Sequence, residues 1–473
     1  MQTHWIDNRA VPGDGPGIDV INPATEERID TIPRGHVDAV DASVAAARRA
    51  FESWAGLSPT QRQQLIGTAI DRLASISDEV AHLLTREMGK PLSQAKNEVS
   101  KAMQGMRASA EMVIHLRSGQ QMAGDLELNF QQRCARGVAV CVMPWNYPVA
   151  LGLDNVVPNL LVGNTVVWKP SEKTPLTSRL VVEKIFGHLP PGVVNLLLGD
   201  GPTAGDALVR HPQVDLLVFV GSEPTGRHLG GICGQHLKKA VLELGGKDAL
   251  IVDETVNIAT AARYAADAAF ANAGQICTSI ERIYVARKIF PEFLAALTAQ
   301  ARAIRVGNGL DAATQMGPLV DRGQWERVSR QVQEAVAAGA TVHHGGAPLP
   351  GPGFFYPPTV LTELDPACSL MTEETFGPVA PCMAFDDFEE AIAMANASHF
   401  GLAAMVLTTS APRALRAIHS LRAGMVKINT MRGKAPGGTS EPVRGSGLGH
   451  GYGMEFFNEI TTQKSIYWRS VPT

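Results

Sequence analysis

One cysteine in this chain of 473 residues sits where sulfur can do chemistry. Cys277 follows Asn272-Ala273-Gly274-Gln275-Ile276, a polar turn just past a helical stretch, where a thiolate can be exposed. The other five cysteines, at 134, 141, 233, 368 and 382, read as small buried hydrophobes. A cysteine nucleophile needs a base and an oxyanion donor. Glu243 closes an apolar run ahead of Leu244-Gly245-Gly246 and is a candidate base, though alone it reads equally well as a strand-end charge. Asn146, in Pro144-Trp145-Asn146-Tyr147-Pro148, is a candidate donor. Spacing alone does not bring the three together.

Two further segments carry groups suited to a phosphorylated ligand. An apolar run ending at Val220 leads into Gly221-Ser222-Glu223-Pro224-Thr225-Gly226 and then a helical stretch. Glycines at a strand-to-helix turn let the backbone approach phosphate, and a helix N-terminus favours negative charge. The run lacks both the lysine of a P-loop and the G-x-G of a dinucleotide fingerprint, so by itself a tight turn is the simpler reading. Lys169-Pro170-Ser171-Glu172 follows another apolar run. A lysine and a glutamate at the carboxyl end of a parallel strand are well placed for a ribose, while a solvated loop is the plainer alternative.

The elements that must hold these residues are legible in outline. Val40, Val44, Ala47, Phe51 and Trp54 recur at helical spacing. Ser58-Pro59 reads as an N-cap with proline at the first helical position, and Gly89 and Pro91 stop the following helix. Gly119 to Arg133 is polar and irregular, an excursion from the first domain. From Val138 to Val142 onward, short β-branched runs alternate with helical ones: strands at 165–168, 193–197 and 215–220, helices at 177–186 and 203–209. The alternation restarts after Gly245-Gly246 with 249–252, an Ala-rich helix and 283–285. This pattern predicts parallel sheets with helices on both faces. Thr461 to Trp468 reads as an edge strand.

Composition narrows the classes. The length calls for more than one packed unit, and 45% hydrophobic with 19% charged residues is a globular composition. A net charge of -4 with no basic block argues against a nucleic-acid surface. No apolar run approaches a membrane span, and Met1-Gln2-Thr3-His4-Trp5 shows no basic region followed by an apolar stretch, so a signal peptide is not expected. With no C-x-x-C pair, neither a metal site nor a disulfide framework is expected, and a reducing cytoplasm is the simplest setting.

Taken together and in order, six blocks resemble the signature segments of the aldehyde dehydrogenase superfamily. They are Pro144-Trp145-Asn146-Tyr147-Pro148, Lys169-Pro170-Ser171-Glu172, Phe219-Val220-Gly221-Ser222, Glu243-Leu244-Gly245-Gly246-Lys247, Gly274-Gln275-Ile276-Cys277 and Glu373-Glu374-Thr375-Phe376-Gly377-Pro378-Val379. The resemblance covers nearly the whole chain, from Ile21-Asn22-Pro23-Ala24-Thr25 to Gly401-Leu402 and beyond. It implies an α/β fold of two parallel-sheet domains, Rossmann-like for the cofactor and catalytic, with a small β oligomerisation arm. The corresponding ranges are 1–118 with 137–244, then 245–443, then 119–136 with 444–473.

The resemblance also implies roles. Cys277 attacks the aldehyde, Asn146 and the Cys277 amide stabilise the oxyanion, hydride passes to the nicotinamide, and Glu243 activates the water that hydrolyses the thioester. Lys169 and Glu172 match the adenine-side ribose site, Gly221 and Ser222 the pyrophosphate turn, and Glu374 and Phe376 the nicotinamide side. Trp145, Gly201, Thr225 and Leu244 are further cofactor candidates. NAD is expected, with NADP as a possible substitute. Leu151, Asp154, Ile276 and Thr278 are expected to line the substrate pocket. Asp154 falls where relatives specific for succinic semialdehyde carry an arginine, so an anionic aldehyde is expected to be disfavoured. A homodimer or homotetramer is expected. One departure is plain: the usual Pro-Phe-Gly-Gly-x-Lys-x-Ser-Gly block is replaced by Gly437-Gly438-Thr439-Ser440-Glu441-Pro442-Val443-Arg444-Gly445-Ser446-Gly447. The alternatives are a CoA-acylating enzyme and a nucleotide-binding relative without chemistry.

Overall fold

The computed structural model describes residues 1–116, 120–121, 128–430 and 438–469. Gly437, and positions 117–119 and 122–127 around the expected arm boundary, lie outside the described residues.

Two parallel sheets dominate. The first runs in the order β19 (Gly447–Leu448), β11 (Lys239–Glu243), β10 (Leu216–Val220), β7 (Val138–Met143), β8 (Thr165–Pro170), β9 (Val194–Leu196), β1 (His4–Ile6) and β2 (Arg9–Val11). Its β11, β10, β7, β8 and β9 are mutually parallel. β1 and β2 close one edge antiparallel, and β19 the other. The second sheet runs β14 (Thr341–His344), β15 (Thr359–Thr362), β16 (Val379–Phe385), β13 (Ile280–Ala286), β12 (Asp248–Val252), β17 (Ala403–Leu407) and β18 (Met425–Ile428). All its pairings are parallel except β14 with β15. β7 and β8 are buried along their whole length, as strands covered on both faces must be.

Two small sheets remain: β3 (Ile18–Ile21) with β4 (Arg28–Ile32), and β20 (Thr461–Trp468), β6 (Leu128–Ala135) and β5 (Gln120–Gln121). β20 pairs with β6 residue for residue, from Thr461 opposite Ala135 to Trp468 opposite Leu128. The irregular reading of 119–133 is therefore corrected over its second half. β6 owes its order to a partner more than 300 residues away, which no local pattern reveals. The expected arm range 444–473 also divides, because β19 extends the first sheet while β20 belongs to the small one.

Local signals formed as their chemistry dictates. Ser58 accepts from the Gln61 amide while the Gln61 side chain accepts from the Ser58 amide, a closed capping box. Gly89, at φ +91°, ends the helix Ser77–Met88. The stretch 177–186 is helical, but it widens to a π-turn from Val182. Among the described residues, no helix is long and apolar enough to cross a membrane.

Candidate active site

Cys277 stands in the turn between the helix Ile258–Phe270 and β13. The turn is forced. Asn272 and Ala273 adopt left-handed backbone angles, and Gly274 follows at φ +72°. A Cβ on Gly274 would lie 2.0 Å from the Gly377 carbonyl, so only glycine fits. Gln275, fully buried, pins the turn from below. Its Nε2 donates to the Asn272 carbonyl at 2.9 Å, and its Oε1 accepts from the Val320 amide at 2.9 Å. Cys277 itself is half-buried, flanked by half-buried Ile276 and Thr278.

Asn146 reaches this turn from the other sheet. It precedes the helix Pro148–Val162, is buried, and its Nδ2 donates to the Gln275 carbonyl at 3.1 Å. Glu243 ends β11, half-buried, and its Oε1 accepts from the Gly451 amide at 2.9 Å. Three residues on, Gly246 passes close to the nucleophile turn: a Cβ there would lie 3.1 Å from the Cys277 carbonyl. The residues singled out for covalent chemistry therefore converge, although they come from both sheets. The phenol of Tyr452 completes the group, close enough to feel the charge of both Glu243 and Cys277.

The phosphate and ribose candidates line the carboxyl ends of the first sheet. The helix Glu223–Gln235 starts directly after Ser222, whose side chain does not cap it but bonds Thr225 Oγ1 at 3.0 Å. No side chain caps this helix start, and Pro224 contributes no amide there, so the open donors of the turn are those of its other residues. At Gly221 a Cβ would strike the Phe219 ring, 2.5 Å away. Lys169 is buried, donates to the Pro170 carbonyl at 2.9 Å and faces Glu172 at 3.6 Å. Burial lowers the lysine and Glu172 pulls it back up. Gly201 opens the turn that brings Gly205 against the Lys169 side chain. Trp145 and Phe376 meet edge to face at 5.3 Å, and Lys173 sits over the Trp145 ring. Glu374 lies on Gly245 and accepts from the Gly246 amide at 3.2 Å; burial and the nearby Glu281 charge push its carboxyl up to about 7. Leu244 is spent on packing, its side chain filling the space that glycine leaves at 226.

The family model described as the aldehyde dehydrogenase family matches residues 10–466. The chain belongs to the aldehyde dehydrogenase family. It is 36% identical over 469 residues to a mitochondrial aldehyde dehydrogenase of Leishmania tarentolae, covering 98% of this chain and 94% of the relative. It is 34% identical to the lactaldehyde dehydrogenase of Escherichia coli, covering 98% of each. Among solved structures it is similar to a lactaldehyde dehydrogenase, with a TM-score of 0.96, 34% identity and 99% of each chain covered. It is similar to the betaine aldehyde dehydrogenase of Staphylococcus aureus in complex with NAD+, with a TM-score of 0.96, 30% identity, 100% of this chain and 95% of that one covered.

The aldehyde dehydrogenase frame also holds residues that the sequence did not single out. Lys90 and Glu98 form a fully buried ion pair. Lys90 Nζ donates to the Asn146 carbonyl at 2.6 Å and lies 3.9 Å above the Tyr147 ring. Glu98 Oε1 accepts from the Val149 and Ala150 amides at 3.0 and 3.2 Å, capping the helix that follows Asn146. Lys247 donates to Glu281 at 2.7 Å and to Thr375 Oγ1 at 2.9 Å, and Glu281 accepts from the Thr375 and Phe376 amides at 2.7 and 2.8 Å. Lys247 lies in a signature block, but its partners are distant in the chain and carry no local signal. Leu151 and Asp154, expected in the substrate pocket, sit half-buried on the helix Pro148–Val162. Asp154 projects at the helix Leu92–Met112, where Gly105 makes room: a Cβ there would lie 2.2 Å from the Asp154 carboxylate.

Proposed function

We propose that this aldehyde dehydrogenase oxidises an aldehyde to the acid with NAD, through a thiohemiacetal and then a thioester on Cys277. The observation that supports the reading is the Asn146 side-chain amide bonded to the Gln275 carbonyl, which brings an N–H donor beside the turn that carries Cys277. In this scheme the Cys277 sulfur adds to the carbonyl carbon, and the oxyanion is held by Asn146 and the Cys277 amide. The nicotinamide, when bound, accepts the hydride that leaves the thiohemiacetal. Glu243 then takes a proton from water, which attacks the thioester, releases the acid and returns the thiol.

The uncapped helix start after Ser222, with the glycine at 221, suits the pyrophosphate. Glu172, with Lys169 beside it, suits ribose hydroxyls and repels a 2′-phosphate, which favours NAD over NADP. A relative from Mycobacterium avium, 36% identical, is a succinate-semialdehyde dehydrogenase for NADP(+), so the choice varies among similar chains. Leu151, Asp154, Ile276 and Thr278 are assigned to the substrate pocket, with Asp154 disfavouring anionic aldehydes. Six free cysteines suit a reducing cytoplasm.

The test is NADH formation at 340 nm over an aldehyde panel that pairs succinic semialdehyde with an aminoaldehyde of equal length. Wild type is expected to reduce NAD, with the aminoaldehyde preferred and the free acid as product. Cys277→Ala is expected to bind NAD and reduce none. Substantial turnover in that variant, or an acyl-CoA product formed only with added CoA, overturns the scheme.

A further inference from the structure

The last strand of the second sheet brings a lysine to the nucleophile. Lys427 lies on β18 opposite Met405 of β17, which in turn lies opposite Leu250 of β12. Parallel neighbours share a face, so these three side chains stand on one side of the sheet, with Met425 two residues back on the same side. Met425 Sδ accepts from the Tyr452 hydroxyl at 3.4 Å, and the residue before Tyr452 donates its amide to Glu243. This face of β18 therefore borders the chamber that holds Glu243 and Cys277.

A second line of contacts reaches the same place. Gly246 lies between the nucleophile turn and Asp248, its Cβ position 3.1 Å from the Cys277 carbonyl and 2.7 Å from Asp248 Oδ1. Asp248 and the Cys277 sulfur both act on the half-buried Lys427 ammonium, offsetting the fall that burial imposes on it. Burial holds the Asp248 carboxyl well above the usual carboxylate range, and its Oδ2 is buried without a hydrogen-bond partner. The Cys277 sulfur acts on Lys427 from β18 and on the Tyr452 phenol from the first-sheet side; Glu243 acts on that same phenol, and Glu281 and Arg282 act on Asp248.

We propose that the Lys427 ammonium favours the thiolate form of Cys277, making Lys427 a positioning residue for the nucleophile. Coulomb interaction is mutual: a sulfur that favours the charged lysine is itself favoured as an anion by that lysine. The inference rests on Cys277 as the nucleophile. Its test reads the thiol directly. The rate of Cys277 alkylation by iodoacetamide is followed from pH 5 to 10 by peptide mapping, in wild type, Lys427→Met, Lys427→Gln and Lys427→Arg. Removal of the charge is expected to raise the midpoint by about one unit, slowing alkylation about tenfold on the acid side. Arginine is expected to keep the midpoint near that of wild type. If Lys427→Met does not fold, Lys427→Gln carries the comparison. An unchanged midpoint in the neutral variants, or an equal rise in Lys427→Arg, overturns the proposal. Residual turnover in Cys277→Ala would sink the catalytic reading instead, and the midpoint would still report on Lys427.

Discussion

At the scale of single residues, the proposed scheme gives Glu243 and Glu374 different tasks. Glu243 is assigned to deacylation, so Glu243→Gln is expected to slow steady-state turnover by roughly 10²–10⁴-fold, the usual worth of a general base. Acyl-enzyme mass on Cys277 should then accumulate in intact-protein mass spectra. Glu374 carries a pH signature. With its carboxyl near 7, its charged fraction rises through neutrality. A carboxylate accepts from ribose hydroxyls more strongly than a neutral acid does. NAD affinity, measured by fluorescence titration, is expected to rise by about three- to tenfold from pH 6 to pH 8, and Glu374→Gln should flatten it. The sign is opposite for stability. The folded chain holds a proton that the unfolded chain has released, so this group's contribution is present at low pH and lost as pH rises through about 7. The identities of Cys277, Asn146 and Glu243 were legible in the sequence because their blocks appear together and in order. Their mutual approach was not, since it depends on Gly246, Gln275 and Gly451, whose contacts join distant segments.

At the scale of elements, the turn before the helix Pro148–Val162 shows how a donor is aimed. Asn146 is fixed at its side chain by Gln275 and at its carbonyl by Lys90, while Glu98 caps the helix that follows. Breaking a fully buried ion pair by removing one partner typically costs about 3–5 kcal/mol. Glu98→Gln is therefore expected to lower the melting temperature by calorimetry. It should also lower kcat more than it weakens NAD binding, because the displaced group is the proposed oxyanion donor. Unchanged kcat in a folded variant would contradict this. Strand and helix alternation was readable here because each element is long enough to show its period. Lys90 and Glu98 were not, since a charged pair in sequence looks like a solvated surface until burial is known.

At the scale of the whole molecule, the small sheet asks for a partner. β20 is its edge strand, and it ends in Tyr467 and Trp468, 65% and 61% exposed. A long edge with exposed aromatics is a template for association. Light scattering is expected to give a dimer or tetramer, and deletion of 461–473 is expected to yield monomers or insoluble chain. A stable wild-type monomer would exclude the arm role. The sequence suggested this strand but not its mate, because β6 shows no period of its own. The Glu243 contact described above has one more consequence, in the order of synthesis. The proposed base, Glu243, is held by an amide 208 positions later in the chain, beside the strand that closes the first sheet. A chain emerging N-terminus first can build β7, β10 and the nucleophile turn long before residue 451 leaves the ribosome. On the proposed scheme, hydrolytic competence therefore waits for the segment around residue 451, and a chain not yet grown that far carries a thiol without a seated base.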